Sequence, residues 1–300
     1  RKGNRTQALK YFRLAKDKEQ RDDQTSKWIS LIASTEYWLL LNKASAAFAH
    51  EDWAQAQKLY QQAYQRDPSN IFALIGLADT ALATQQPDQA WLLYQRALKR
   101  APFDETTQRG ILRYTATLAP QEALNVLIPL RPQEAPLFVQ AKRNLQIELL
   151  EQRAALAEQD GRKQDQVAAL QLIQQLNLAD PWASYRLAVA LREQGQEQAA
   201  QDAYQRHLSG HQQQAVSRYA HGLLLASVDQ WDATLETLSA IDKAAWTEDM
   251  HALAQRVTDA QLLERARQQY DSGAIAEAFA LLEAEPQSPG ARLQVAQWAY

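Results

Sequence analysis

His207 and His211 stand four residues apart, the spacing that puts two imidazoles on one helical face for a metal ion. The stretch between them, "HLSGH", carries Gly210, which should end a helix, and no third ligand lies nearby in sequence. The pair is therefore expected to be two exposed loop histidines, with no metal. His50, His221 and His251 are isolated. The patterns H-E-x-x-H, G-x-S-x-G, G-x-x-x-x-G-K and G-x-G-x-x-G do not occur. Carboxylates sit singly or in solvated pairs such as Asp22–Asp23 and Glu248–Asp249, with none held as a pair in apolar surroundings for acid–base work. With no cysteine there is no thiolate nucleophile, no disulfide and no Cys-based zinc site. No catalytic residue and no cofactor is assigned, and an enzyme is not expected.

Without a reaction to position, the question becomes what the elements are built to hold. Ala, Leu, Gln, Glu and Arg dominate, while glycine (9) and proline (10) are scarce, which favours an all-α chain. The apolar fraction is 46%, yet the most apolar stretch, "YWLLLNKASAAFA", is broken by Asn42 and Lys43. No run reaches the ~18 apolar residues of a membrane span. Net charge is −3 and unevenly spread: residues 1–100 carry 15 Lys+Arg and 10 Asp+Glu, 101–200 carry 10 and 12, and 201–300 carry 7 and 13. Drift among solvated faces explains most of this, although a graded charge can also orient a partner. The pI near 6.0 and the lack of a basic stripe with interleaved aromatics argue against nucleic acid. Absence of cysteine suits a secreted or periplasmic chain that dispenses with disulfides, and cytosolic chains as well. The start "RKGNRTQALK" has neither Met nor a signal-peptide pattern, so a piece of a longer polypeptide is expected.

One pattern returns. "EDWAQAQKLYQQAYQRDP" and "QQPDQAWLLYQRALKRAP" align Ala56 with Ala90, Tyr60 with Tyr94, Ala63 with Ala97 and Pro68 with Pro102, each pair 34 residues apart. The Ala–Tyr–Ala spacing lies on one helical face: small residues let helices approach, the aromatic fills the gap, and proline stops the helix. Upstream of each lies another amphipathic helix. Such a helix–turn–helix unit cannot bury its face alone, so neighbours must stack.

This pattern resembles the tetratricopeptide repeat. The resemblance implies an all-α, right-handed α-α superhelix over residues 1–300. "GNRTQALKYFRLA" fits a second helix with Gly3 at its turn. "DPWASYRLAVALREQGQEQAAQDAYQRHL" fits with Leu187, Ala188, Leu191, Gly195 at the turn, Ala200 and Tyr204. Asp229 is the turn residue 34 after Gly195, and Gly273 serves the last complete repeat. Residues 147–180 form a pair around "EQDGRKQ", with a second helix expected about three residues longer than the template. An irregular stretch is expected near 119–145, where Pro120, Pro129, Pro132 and Pro136 crowd together, and a direction change there or near 285–290.

The same stretches, with "DPW-x-x-Y-x-LA" opening a helix, resemble the repeat region of the bacterial cellulose synthase operon protein C family of cellulose export subunits. That resemblance implies a periplasmic scaffold, part of an outer-membrane protein, linking other cellulose synthase subunits and guiding the β-1,4-glucan. The alternatives are a repeat domain of another exopolysaccharide export protein, or a protein-binding module attached to an enzyme. It also implies that the first helix of each repeat lines a concave groove. The candidate groove residues are then Trp38, Phe48, Phe72, Asp79, Trp182, Tyr185, Arg192 and Tyr219. Aromatics there could stack on sugar or anchor a peptide. Asp79 and Arg192 are expected to be exposed, because burying either unpaired is costly.

Overall fold

The computed structural model describes residues 4–130, 136–284 and 289–298. Gly3, Pro132 and residues 285–288, read above as turn or direction-change positions, lie outside the described residues, as do the side chains of Asp22 and Asp23. Among the described residues there are sixteen α-helices and no strand. The chain divides into two compact units, Arg1–Leu149 and Leu150–Tyr300.

In the first unit run α1 (Arg5–Lys18), α2 (Asp22–Ala49), α3 (Trp53–Arg66), α4 (Ile71–Ala83), α5 (Pro87–Arg100), α6 (Glu105–Thr115), α7 (Pro120–Leu127) and the start of α8 (Pro136–Gln159). The second holds the end of α8, then α9 (Lys163–Leu176), α10 (Pro181–Arg192), α11 (Glu197–His211), α12 (Ala215–Ala226), α13 (Trp231–Ser239), α14 (Glu248–Asp271), α15 (Ile275–Glu283) and α16 (Pro289–Trp298). Each repeat is a pair: α2 packs on α3, α4 on α5, α10 on α11, α12 on α13 and α14 on α15. First helices also pack on first helices, α2–α4–α6 in one unit and α10–α12–α14 in the other.

The helix starts follow from caps. Asn70, Asp104 and Asp180 accept hydrogen bonds from the first backbone N–H groups of α4, α6 and α10, each stabilising by about 1 kcal/mol. Pro87, Pro120 and Pro181 occupy the first helical position, where a missing N–H costs nothing. The turn inside each of these five pairs, and the turn from α8 to α9, carries one left-handed residue: Glu51 (φ 60°), Gln85 (58°), Gly161 (69°, α8 to α9), Gly195 (74°), Asp229 (57°) and Gly273 (87°). Three of the six are not glycine, so the geometry is imposed by the packed pair against local preference.

Small residues and aromatics interlock the repeats. Ala56, Ala63, Ala90, Ala97, Ala200 and Ala203 are fully buried, and so is the Tyr94 ring. Tyr60 and Tyr94 lie against Gly76 and Gly110, where any Cβ would collide with the ring. Three helices are longer than the repeat requires: α2 has 28 residues, α8 and α14 have 24. α14 serves two clusters. In α14, Met250, Leu253 and Val257 join one core, and Leu262, Leu263 and Ala266 the next. α7 is only 8 residues, in keeping with the expected irregularity. α9 has 14 residues, the length of α3 and α5, so the extension expected there is absent; its periodicity alone did not mark its end.

Candidate ligand-binding faces

In the first unit, the cap at Asn70 starts α4 so that Phe72 stands beside Trp38 of α2, ring centroids 5.5 Å apart. Tyr37 meets Trp38 edge-on at 5.7 Å, and the Arg5 guanidinium lies over the Trp38 ring at 5.4 Å. Phe72 is exposed and Trp38 half-buried, so these two expected residues come together on one accessible face. Phe48 is not part of it: its ring packs on Trp53 at 5.0 Å, closing the turn between α2 and α3.

Asp79 is not the exposed carboxylate expected. Tyr94 Oη donates to its Oδ1, and Arg113, 34 residues on, donates Nη2 to both oxygens at 2.8 and 2.7 Å. Ser45, 34 residues earlier, sits 3.2 Å from Tyr60 Oη. Ser45, Asp79 and Arg113 therefore mark equivalent places in three repeats; the first two each pair with a core tyrosine hydroxyl, and the third reaches back to Asp79. Burial raises the Tyr60 and Tyr94 phenols above their ordinary range, and Asp79 adds to this at Tyr94.

In the second unit, Asp180 and Pro181 start α10 so that Trp182 and Tyr185 fall one turn apart. Trp182 meets Tyr185 at 5.9 Å and Tyr219 of α12 at 6.1 Å, both edge-on. Trp182 is 39% exposed, and Tyr185 and Tyr219 are half-buried. Such a cluster presents rings of known orientation to a sugar face or an apolar side chain. Arg192, expected to be exposed, is instead a clamp between repeats, its side chain 14% exposed. It donates to Glu197 at 3.0 Å, to the Leu224 carbonyl at 2.7 Å and to Ser227 Oγ at 2.7 Å. The guanidinium is tolerated there because its donors are used.

His207 also departs from expectation. α11 continues through Gly210 to His211, and His207 is fully buried. Its Nδ1 lies 2.8 Å from the Leu178 carbonyl and its Nε2 2.8 Å from Ser217 Oγ. The glycine is tolerated because tertiary packing carries the helix past it. Both ring nitrogens are engaged, which leaves none for a metal, and among the described residues no three His, Cys, Asp or Glu cluster to hold one.

A cavity of about 260 Å³ between α8, α9 and α10 was not anticipated. Glu151, Glu158, Gln166, Tyr185, Arg186 and Glu193 contribute its polar lining. These residues come from three helices with no shared spacing, so no sequence signal could have found them. The second unit is also the acidic one, with 12 Lys+Arg against 20 Asp+Glu, while the first carries 20 against 15.

Comparison with known proteins adds four matches. The tetratricopeptide repeat family model matches residues 47–110. Cellulose synthase operon protein C of Escherichia coli K12 is 35% identical over 99% of this chain and 26% of its own length. The Salmonella typhimurium protein of that name is 36% identical over 91% of this chain and 23% of its own. Thus the chain spans about a quarter of the length of the relatives it matches. Among solved structures, a tetratricopeptide repeat protein of Parabacteroides merdae aligns over 74% of this chain and 98% of its own, with 14% identity and a TM-score of 0.34.

Proposed function

We propose, from the premise that this chain is a tetratricopeptide repeat homologue of a segment of cellulose synthase operon protein C, that it is a periplasmic scaffold of bacterial cellulose export. In this role it holds protein partners between the inner-membrane synthase and the outer-membrane pore, and keeps the β-1,4-glucan on its path. The observation that carries the proposal is 35% identity along 99% of the chain to a protein of that operon. Stacked helical pairs agree with it, since such repeats offer long surfaces for partners. No helix of the described residues is long and apolar enough to cross a membrane.

Two exposed aromatic groups, Trp38 with Phe72 and Trp182 with Tyr185 and Tyr219, favour glucan contact as part of this role. Titration with cellohexaose, followed through the eight tryptophans, tests it. Saturable binding that weakens in Trp38→Ala and Trp182→Ala is expected. A flat titration at millimolar sugar removes the glucan from the role and leaves the protein scaffold. Capture of the other synthase subunits by the immobilised protein tests that second part, and failure to retain any of them refutes it.

A further inference from the structure

We propose that the cavity between α8, α9 and α10 receives one lysine or arginine side chain, presented by an extended segment of a protein partner. Three observations converge on it. The first is size. At about 260 Å³ the cavity lies below the roughly 300–1,000 Å³ of sites that enclose a whole small molecule, so it suits a single side chain better than linked sugar rings. Leu170, Ala154, Val189 and Ala190 give it apolar walls against which an aliphatic stem packs.

The second is charge. Of its three carboxylates only Glu151 is compensated, by Arg186 at 2.9 Å. Glu158 and Glu193 line the same cavity without an ion pair among the described residues. The cavity is thus net acidic, inside the more acidic of the two units. An anion would be repelled and a neutral group would gain nothing from the charge of the two exposed carboxylates, whereas an ammonium or guanidinium is attracted by both. The Tyr185 ring on the wall adds a favourable partner for a cation.

The third is an unanswered amide. Gln166 lines the cavity, and although the residue as a whole is 9% exposed, its amide opens to the cavity and makes no hydrogen bond within the protein, in contrast to Gln174 two turns further along α9, which bonds Ser184 Oγ and the Ala203 carbonyl. An amide with no protein partner at the wall of a cavity is free to pair with a ligand atom that enters. Gln166 Oε1 and the two carboxylates are all acceptors for an incoming N–H donor.

The proposal rests on the protein-scaffold reading, and its test separates the two. Acetyl-Gly-Lys-Gly-amide and its Arg counterpart are titrated into the whole chain by calorimetry, with the Nε-acetyl-lysine peptide as control. Binding of both cationic peptides that falls with salt is expected, with no binding of the acetylated peptide. Glu158→Gln with Glu193→Gln, both exposed and so harmless to folding, should weaken binding by about tenfold or more. Gln166→Glu, which adds a charge at the same volume, should strengthen it. Equal binding of the acetylated peptide, unchanged affinity in the double variant, or no binding at all would each overturn the proposal. If the double variant still captures synthase subunits as the parent does, the cavity assignment falls and the scaffold stands. If capture fails for the parent while the peptides bind, the scaffold falls and the cavity stands.

Discussion

Gly76→Ala and Gly222→Ala should change stability in opposite directions, although both glycines are buried in the middle of a first helix. In a helix interior alanine is favoured over glycine by about 1 kcal/mol, and that gain is common to both. The difference lies in what the new methyl meets. At Gly222 it would touch Leu238 Cδ2 at 3.5 Å and Leu253 Cδ2 at 3.6 Å, ordinary contact, so the gain survives. At Gly76 it would lie 2.5 Å from Tyr60 Cδ1 and Cζ. Tyr60 is 7% exposed, and its hydroxyl is paired with Ser45, so the ring cannot swing away without opening the repeat. Overpacking of this kind costs about 1–3 kcal/mol. Gly76→Ala should therefore be destabilising by up to about 2 kcal/mol, and Gly222→Ala stabilising by about 0.5–1 kcal/mol. Urea denaturation followed by circular dichroism reads the midpoints, and midpoints suit a repeat array better than a two-state free energy. Shifts of the same sign would refute the claim that tyrosine insertion dictates glycine here. Adding Tyr60→Leu to Gly76→Ala should recover part of the loss if the clash is the cause.

Gln85→Gly, at φ 58°, should stabilise the first unit by about 0.5–1 kcal/mol, visible as a higher thermal midpoint; an unchanged or lower midpoint would show the left-handed turn carries no strain. Asp79→Ala removes the acceptor of both Tyr94 and Arg113 and should destabilise by about 1.5–3 kcal/mol, with Asp79→Asn milder; urea midpoints that match the parent would deny that the pairing matters. Burial holds His221, stacked on Tyr204 at 5.4 Å, below the ordinary imidazole value. Above about pH 6.5 it is neutral folded and unfolded, so it contributes nothing there; below, the unfolded chain takes up a proton that the folded one resists, and stability falls. Midpoints measured from pH 7.5 to 5.5 should drop less steeply in His221→Phe than in the parent, and parallel curves would exclude this histidine as a source of the slope.

Much of the fold was legible because each repeat carries its own local code. The 34-residue spacing of Ala56, Tyr60 and Ala63, and the turn positions Gly195, Asp229 and Gly273, announce helix, turn and helix without reference to anything distant. Local signals did not reach three things. The lengths of α2, α8 and α14 were not written in the repeat, and that of α14 depends on a second cluster beyond it. The left-handed Glu51 and Gln85 look like ordinary helix residues, and only the closed pair forces them over. Side-chain partners at long range were invisible too: exposure was expected for Asp79, Arg192 and His207 because their partners Arg113, Ser227 and Ser217 lie in the next repeat. By itself, then, the sequence determined the stacked helical pairs and the placing of Phe72 and Trp182 at the starts of α4 and α10. Tertiary structure alone decided which polar groups are spent on holding repeats together and which, like Gln166, are left open, because pairing is a property of neighbours in space.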